Sequence, residues 1–181
     1  MDTLDSRQVY ANPWMSIRED TIRRQDGSVG MYGVIDKPPF ALVIPEDGER
    51  LFLVEQFRYP LGRRCWEFPQ GTAPDQLELP PRQLAERELR EETGLRAGQL
   101  TQLGTLDLAP GLSSQRGAVF LATSLTMGVH QREHEEQDMR AAWFTHERFR
   151  EMVAAGEITD AQSIAAYSLL LLHRAGVGAA E

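Results

Sequence analysis

Hydrophobic and polar positions follow two different periods along the chain. The apolar runs Phe40-Ala-Leu-Val-Ile44 and Leu51-Phe-Leu-Val-Glu-Gln-Phe57 flank the turn-forming Glu46-Asp-Gly-Glu-Arg50. Continuous runs of this length predict central strands buried on both faces and joined by a tight turn. Residues 9–37 favour extended chain and read as a hairpin: Met15 to Ile22 alternates loosely, Gln25-Asp-Gly-Ser28 supplies the turn, and Met31 to Ile35 resumes. Trp66-Glu-Phe68 reads as a short strand delivering the chain to a glycine loop. Residues 100–108 and 117–125 read as two more strands around the loop 109–115, and Met139 to Trp143 as another.

Three stretches carry the helical period instead. Pro80 and Pro81 suit a helix start, because a first-turn proline has its φ already set and lacks an amide that would go unpaired, and Gly94 is the matching stop. A second helix is predicted over roughly 145–155. A third runs from about 161 to 173 behind Asp160 as its cap, with Ile164, Tyr167, Leu169, Leu170 and Leu171 as a broad apolar face. Strands, a helix after a glycine loop, more strands and then helices define an α+β domain.

The first helix holds more than a core face. At about 100° per residue, Glu88, Glu91 and Glu92 fall within roughly one third of its circumference, while Leu84, Ala85 and Leu89 occupy the adjoining arc. Like charges at i, i+3 and i+4 cost a few tenths of a kcal/mol per pair unless something positive sits among them. Arg87, four residues before Glu91, can hold a carboxylate in one orientation, and a hard divalent cation would reverse the sign of the interaction. Charge patterns alone more often make a solvated helix face, so the decision rests on what surrounds them.

Composition narrows the classes. With 181 residues and 41% hydrophobic content the chain supports one domain with a real core. A net charge of −8 argues against bulk nucleic acid or an anionic membrane as partner, although a local arginine cluster can still grip phosphates. Cys65 is the single cysteine, which excludes an internal disulfide and reads as packed rather than reactive. The polar, acidic start and the shortness of every apolar run point to a cytoplasmic protein with no membrane span.

Arg87-Glu-Leu-x-Glu-Glu-x-Gly-Leu95, following the glycine loop at Phe68-Pro-Gln-Gly71, resembles the signature G-x5-E-x7-R-E-U-x-E-E-x-G-U of the Nudix hydrolases, where U is bulky and aliphatic. Its second half matches at every specified position. Its first half departs: the pattern wants glutamate at 79 and glycine at 73, where the chain has Leu79 and Ala73, with Glu78 and Gly71 nearest. The resemblance implies an α/β/α sandwich with a mixed sheet, in which Glu88, Glu91 and Glu92 bind Mg²⁺, with Mn²⁺ as a substitute, and a backbone carbonyl near Gly71 adds a ligand. Glu67, two residues before Pro69, is read as standing behind the site, with a further metal or phosphate contact as the alternative.

Further features resemble the branch of that family that hydrolyses ADP-ribose and nucleoside diphosphate sugars. Arg58 in a Q-x-R-x-P setting and Asn12-Pro-Trp14 before it imply that Arg58 holds a phosphate or the terminal ribose, and that Trp14 or Tyr32 stacks on a base. Pro110, 15 residues beyond Leu95 and followed by Gly111 and Ser113, implies substrate contacts from that loop. The acidic segment 130–138 implies a general base, with Glu135 and Glu136 preferred and Glu133 and His134 open as alternatives. The expected reaction is hydrolysis of ADP-ribose to AMP and ribose 5-phosphate. Another NDP-sugar, a dinucleoside polyphosphate, a capped RNA end, or a non-catalytic nucleotide sensor are the alternatives. The resemblance further implies one domain over 1–181, with residues 1–37 contributing to a homodimer and 38–181 forming the catalytic core.

Overall fold

The computed structural model describes residues 1–129 and 138–177. Ten strands and three α-helices follow in the order β1 (Asp2–Asn12), β2 (Met15–Arg23), β3 (Val29–Asp36), β4 (Phe40–Asp47), β5 (Arg50–Arg58), β6 (Arg63–Glu67), β7 (Gln70–Thr72), α1 (Pro81–Thr93), β8 (Leu95–Asp107), β9 (Arg116–Met127), β10 (Arg140–Thr145), α2 (His146–Ala154) and α3 (Ala161–Arg174). Strands β1 to β3 form an antiparallel three-stranded sheet, and the others form a seven-stranded sheet with the path β10-β5-β4-β9-β8.

The large sheet is mixed. β4 runs parallel to β9, while β8 is antiparallel to β9 and β10 is antiparallel to β5. β4 is buried on both faces, as its apolar run requires. Phe40, Leu42 and Ile44 join Phe149, Met152, Tyr167 and Leu170 on the side of α2 and α3, whereas Ala41 and Val43 join Leu84, Ala85, Leu89 and Phe120 on the side of α1. The sheet is therefore the middle layer of an α/β/α sandwich, and each large side chain fully buried in it contributes about 1.5–3 kcal/mol.

One irregularity creates the site. β4 and β5 pair only next to their turn, Glu46 with Leu51 and Asp47 with Arg50, and then diverge. β7 enters the gap and pairs with the far half of β4, Leu42 opposite Gln70 and Phe40 opposite Thr72. β5 meanwhile continues with β6, placing Val54 opposite Glu67 and Arg58 opposite Arg63. The chain crossing from β6 to β7 is fastened from the carboxyl-terminal side. Ser163 Oγ accepts from the Phe68 amide at 2.8 Å, and the α3 cap Asp160 accepts from Ser163 N at 2.8 Å and from Gln70 Nε2 at 3.1 Å.

The expected hairpin over 9–37 is part of a larger unit. Its two strands are present as β2 and β3, but an outer strand, β1, precedes them and pairs along β2 from Asp2 to Asn12. Nothing in its sequence announces it, since every residue but the last is exposed. β7 was likewise not expected, being three residues long and defined only by its partner. β8 begins directly after the helix stop rather than at residue 100. Leu171, placed on the apolar face of α3, is 44% exposed; Tyr167 and Leu170 carry that face. No helix among the described residues is long and apolar enough to cross a membrane.

Candidate active site

The helix α1 is punctuated as its sequence demands: Pro80 is the amino-terminal cap, and Gly94 closes the helix at φ 76°, its amide donating to the Arg90 carbonyl. The apolar arc of the helix lies on the sheet and takes two of the carboxylates down with it. Glu88 and Glu92 are buried, at 6% and 1% exposure, and Glu91 is half-buried at their side. All three sit in the carboxyl-terminal half of the helix, where the backbone dipole is itself negative. Desolvated carboxylates there require positive charge nearby.

Arg87 supplies part of it. Its Nη2 donates to the Thr72 carbonyl at 3.2 Å and to Glu88 Oε1 at 3.3 Å, and its Nε lies 3.5 Å from Glu91 Oε2. One guanidinium thus ties β7 to two carboxylates, where the spacing alone pointed only to Glu91. Gly71 completes the fit from the β7 side, because a Cβ there would stand 2.3 Å from Glu88 Oε2. Gly71→Ala is expected to push the Glu88 carboxylate out of place and lower kcat by about 100-fold or more, while the melting temperature moves little. Unaltered kcat in that variant would remove Gly71 from the site.

Opposite α1, the end of β5 presents Arg58. Its Nε donates to Glu67 Oε2 at 3.1 Å and its Nη2 donates to Glu67 Oε1, a two-pronged grip that holds the guanidinium plane in one orientation. Gln56 Nε2 also donates to Glu67 Oε1, at 2.7 Å. Burial pushes the Glu67 carboxyl up, and the Arg58 charge and hydrogen bond oppose it. For Arg58 burial pulls downward, but the charges of Glu67, Glu92 and Asp160 outweigh it and raise the guanidinium above its ordinary value. Glu67 therefore holds Arg58 in place from behind, a pairing that the sequence alone did not indicate.

Between these two walls lies a cavity of about 630 Å³, lined by Trp14, Arg58, Gly71, Arg87, Glu88 and Glu91 together with Phe57 and Gln70. Trp14 reaches its rim from the β1–β2 turn, where Asn12 Oδ1 accepts from the amides of Trp14 at 2.9 Å and Met15 at 2.8 Å. The asparagine before the proline is thus what aims the tryptophan. Phe57 and Gln70 carry no local sequence signal, and their presence follows from the divergence of β4 and β5.

Other expected residues fall elsewhere. Tyr32 donates from its hydroxyl to the Gly111 carbonyl at 2.8 Å and so anchors the 109–115 loop. Pro110 and Ser113 lie on that loop, which also pairs with β3 through Ile35 N to the Leu112 carbonyl at 2.9 Å; neither lines the cavity. The loop follows Leu108, which borders a second space of about 480 Å³ on the other side of Arg58. Glu78 is exposed and away from the cavity. Glu133, His134, Glu135 and Glu136 lie outside the described residues, whose next member, Asp138, accepts from Arg64 Nη1 at 2.6 Å.

The carboxylates of Glu88 and Glu91, which line the cavity with no His or Cys beside them, are donors that suit a hard divalent cation. Among the described residues no three His, Cys, Asp or Glu side chains already converge as a closed metal cage.

Comparison with known proteins places this arrangement. The NUDIX domain model matches residues 37–167, and the model of the nucleoside diphosphate sugar hydrolase N-terminal domain matches residues 1–35. The chain belongs to the Nudix hydrolase family, whose members generally use a divalent metal. It is 35% identical over 182 residues to an ADP-ribose pyrophosphatase of Mycobacterium tuberculosis, covering 99% of this chain and 86% of that one. It is also 28% identical over 175 residues to an ADP-ribose pyrophosphatase of Bacillus subtilis, covering 96% and 94%. A crystal structure of an ADP compounds hydrolase superposes with a TM-score of 0.85 at 18% identity, over 98% of this chain and 95% of that one, which is agreement of fold.

Proposed function

We propose that the protein hydrolyses the pyrophosphate bond of ADP-ribose, releasing AMP and ribose 5-phosphate. The observation that carries this reading is the placing of an oriented arginine, Arg58, across one cavity from the Glu88 and Glu91 carboxylates, with an exposed indole, Trp14, at its rim. A diphosphate needs the first two and an adenine suits the third. The similarity to two ADP-ribose pyrophosphatases over nearly the whole chain supports the choice among nucleoside diphosphates.

Mg²⁺, or Mn²⁺ in its stead, bound by Glu88, Glu91, Glu92 and the carbonyl near Gly71, would neutralise the diphosphate and lower the pKa of a bound water. Arg87 keeps Glu88 and Glu91 in fixed orientations through its contacts to both. Arg58, held by Glu67, grips the diphosphate in line for attack, so that positioning and preorganised charge supply most of the acceleration. Trp14 stacks on the base. Pro110 and Ser113 contact the ribose end from the loop beyond Leu108. Glu135 or Glu136 takes the proton from the attacking water.

The test is a substrate panel with Mg²⁺: ADP-ribose, other NDP-sugars, a dinucleoside polyphosphate and capped RNA, scored by kcat/KM. ADP-ribose is expected to lead by about tenfold or more, since a site built for one polar group loses that much when it goes unmatched. A higher kcat/KM for another substrate would replace the assignment. Binding of ADP-ribose without turnover over hours would make the protein a sensor.

The same reading makes the protein a homodimer through β1–β3. That sheet leaves Leu4, Val9, Tyr10, Val29 and Met31 exposed, apolar side chains that a partner's sheet could cover. A monomer mass by light scattering at micromolar concentration would refute the assembly.

A further inference from the structure

On the outer flank of α1, a separate cavity of about 740 Å³ opens between the helix, the loop before it and the first residues of β8. Arg87, Arg90 and Arg96 line it against a single glutamate, Glu86, which is already engaged by Arg82 Nε at 3.2 Å. In a chain of net charge −8 this is a local concentration of arginine, balanced in part by Glu91 from the helix side. The Nε–H of Arg90 is buried without a hydrogen-bond partner among the described residues, and that of Arg87 faces only the Glu91 carboxylate at 3.5 Å; buried donors are satisfied in the great majority of cases. Arg96 is exposed and makes no ion pair among the described residues. Leu79, Leu89 and Ala97 supply an apolar wall.

We propose that this cavity is a regulatory site for a phosphate monoester, whose dianion is held by Arg90 and Arg96 and whose organic part rests on Leu79 and Leu89. Guanidinium forks match phosphate oxygens bidentately, and the volume falls within the range of about 300–1,000 Å³ common for small-molecule sites. The site is distinct from the substrate cavity but shares a wall with it, because Arg87 lines both.

That shared wall gives the occupant an effect on the metal carboxylates. Arg87 Nε is 3.5 Å from Glu91 Oε2 and Arg90 Nη2 is 3.7 Å from Glu91 Oε1. An anion that draws these guanidinium groups outward removes counter-charge from Glu91 and strengthens its hold on a divalent cation. The coupling is reciprocal, so the metal strengthens binding of the monoester by the same factor. None of this depends on which nucleotide derivative is hydrolysed.

Calorimetric titration of the full chain with AMP, ribose 5-phosphate and inorganic phosphate, in chelator, tests the site without turnover. AMP is expected to fill two sites, one at Trp14 in the substrate cavity and one here, and the two monoesters to bind here more tightly than inorganic phosphate. Arg96→Ala and Arg90→Ala should each weaken AMP at this second site by about tenfold, the loss of one charge-assisted contact, while Trp14→Ala removes only the site in the substrate cavity. Saturating AMP should tighten Mn²⁺ binding about fivefold in the native protein and not at all in Arg96→Ala. A single AMP site that Trp14→Ala abolishes, second-site affinity untouched by both arginine variants, inorganic phosphate binding there as tightly as the monoesters, or Mn²⁺ affinity indifferent to AMP would each overturn the proposal.

Discussion

Glu92→Gln is expected to lower kcat for Mg²⁺-dependent hydrolysis by about 1,000-fold or more, several kcal/mol of lost stabilisation of the developing charge, with the fold intact. The replacement keeps shape and volume at a side chain only 1% exposed, so packing against the sheet survives. What it removes is one of three like charges within one turn and a half of helix. The repulsion this relieves, a few tenths of a kcal/mol per pair, offsets the lost attraction between Glu92 and Arg58, so the melting temperature should change little. Loss of activity combined with retained stability separates a metal-binding carboxylate from a merely structural one. Turnover equal to that of the native protein would take Glu92 out of the metal site.

Arg58→Ala is expected to fail twice, by different routes. Removing the guanidinium leaves Glu67, at 2% exposure, without its counter-charge, and breaking a buried pair from one side costs about 3 kcal/mol. For a chain of this size that is a drop in melting temperature of roughly 6–12 °C. Burial already pushes the Glu67 carboxyl above its ordinary 4.5, and without Arg58 it rises further. A group that holds its proton more tightly folded than unfolded stabilises the fold below the unfolded pKa and loses that contribution as pH rises. The deficit should therefore be small at low pH and grow towards neutrality. Arg58→Met with Glu67→Gln should recover most of the stability and none of the activity, because the diphosphate still lacks its grip. Recovery of kcat/KM in the double variant would show that Arg58 serves the fold alone.

How much of this was legible in the sequence depended on whether the signal was local. The helix α1 was readable because prolines and a glycine bound it and because its carboxylates recur at helical spacing, so their shared edge follows from geometry. The strands β4 and β5 were readable because burial on both faces demands unbroken apolar runs. β1 was hidden for the converse reason: it covers no core, and a strand exposed along its length carries no alternation. The grip of Glu67 on Arg58 depends on the β5–β6 register, which sets Val54 opposite Glu67; local pattern does not encode that. Phe57 and Gln70 join the cavity only because β7 wedges between strands that a tight turn had brought together. The arginine-lined space beside α1 combines Arg87 and Arg90 with Arg96 beyond the helix stop, and only the fold brings those together. Glu135 and Glu136, named from the family resemblance and their nearness to the following strand, lie outside the described residues.

The amide of Phe68 rests on the hydroxyl of Ser163, and Gln70 on Asp160, across sequence separations of 95 and 90 residues. Contacts that distant close late, since the entropy of closing the loop must be met before they form. During synthesis the carboxylate-bearing helix leaves the ribosome some seventy residues before its partner strand can be locked, about four to fourteen seconds earlier at ordinary elongation rates. The glycine strand already has β4 to pair with by then, so what waits for α3 is the fastening of the crossing from β6 to β7.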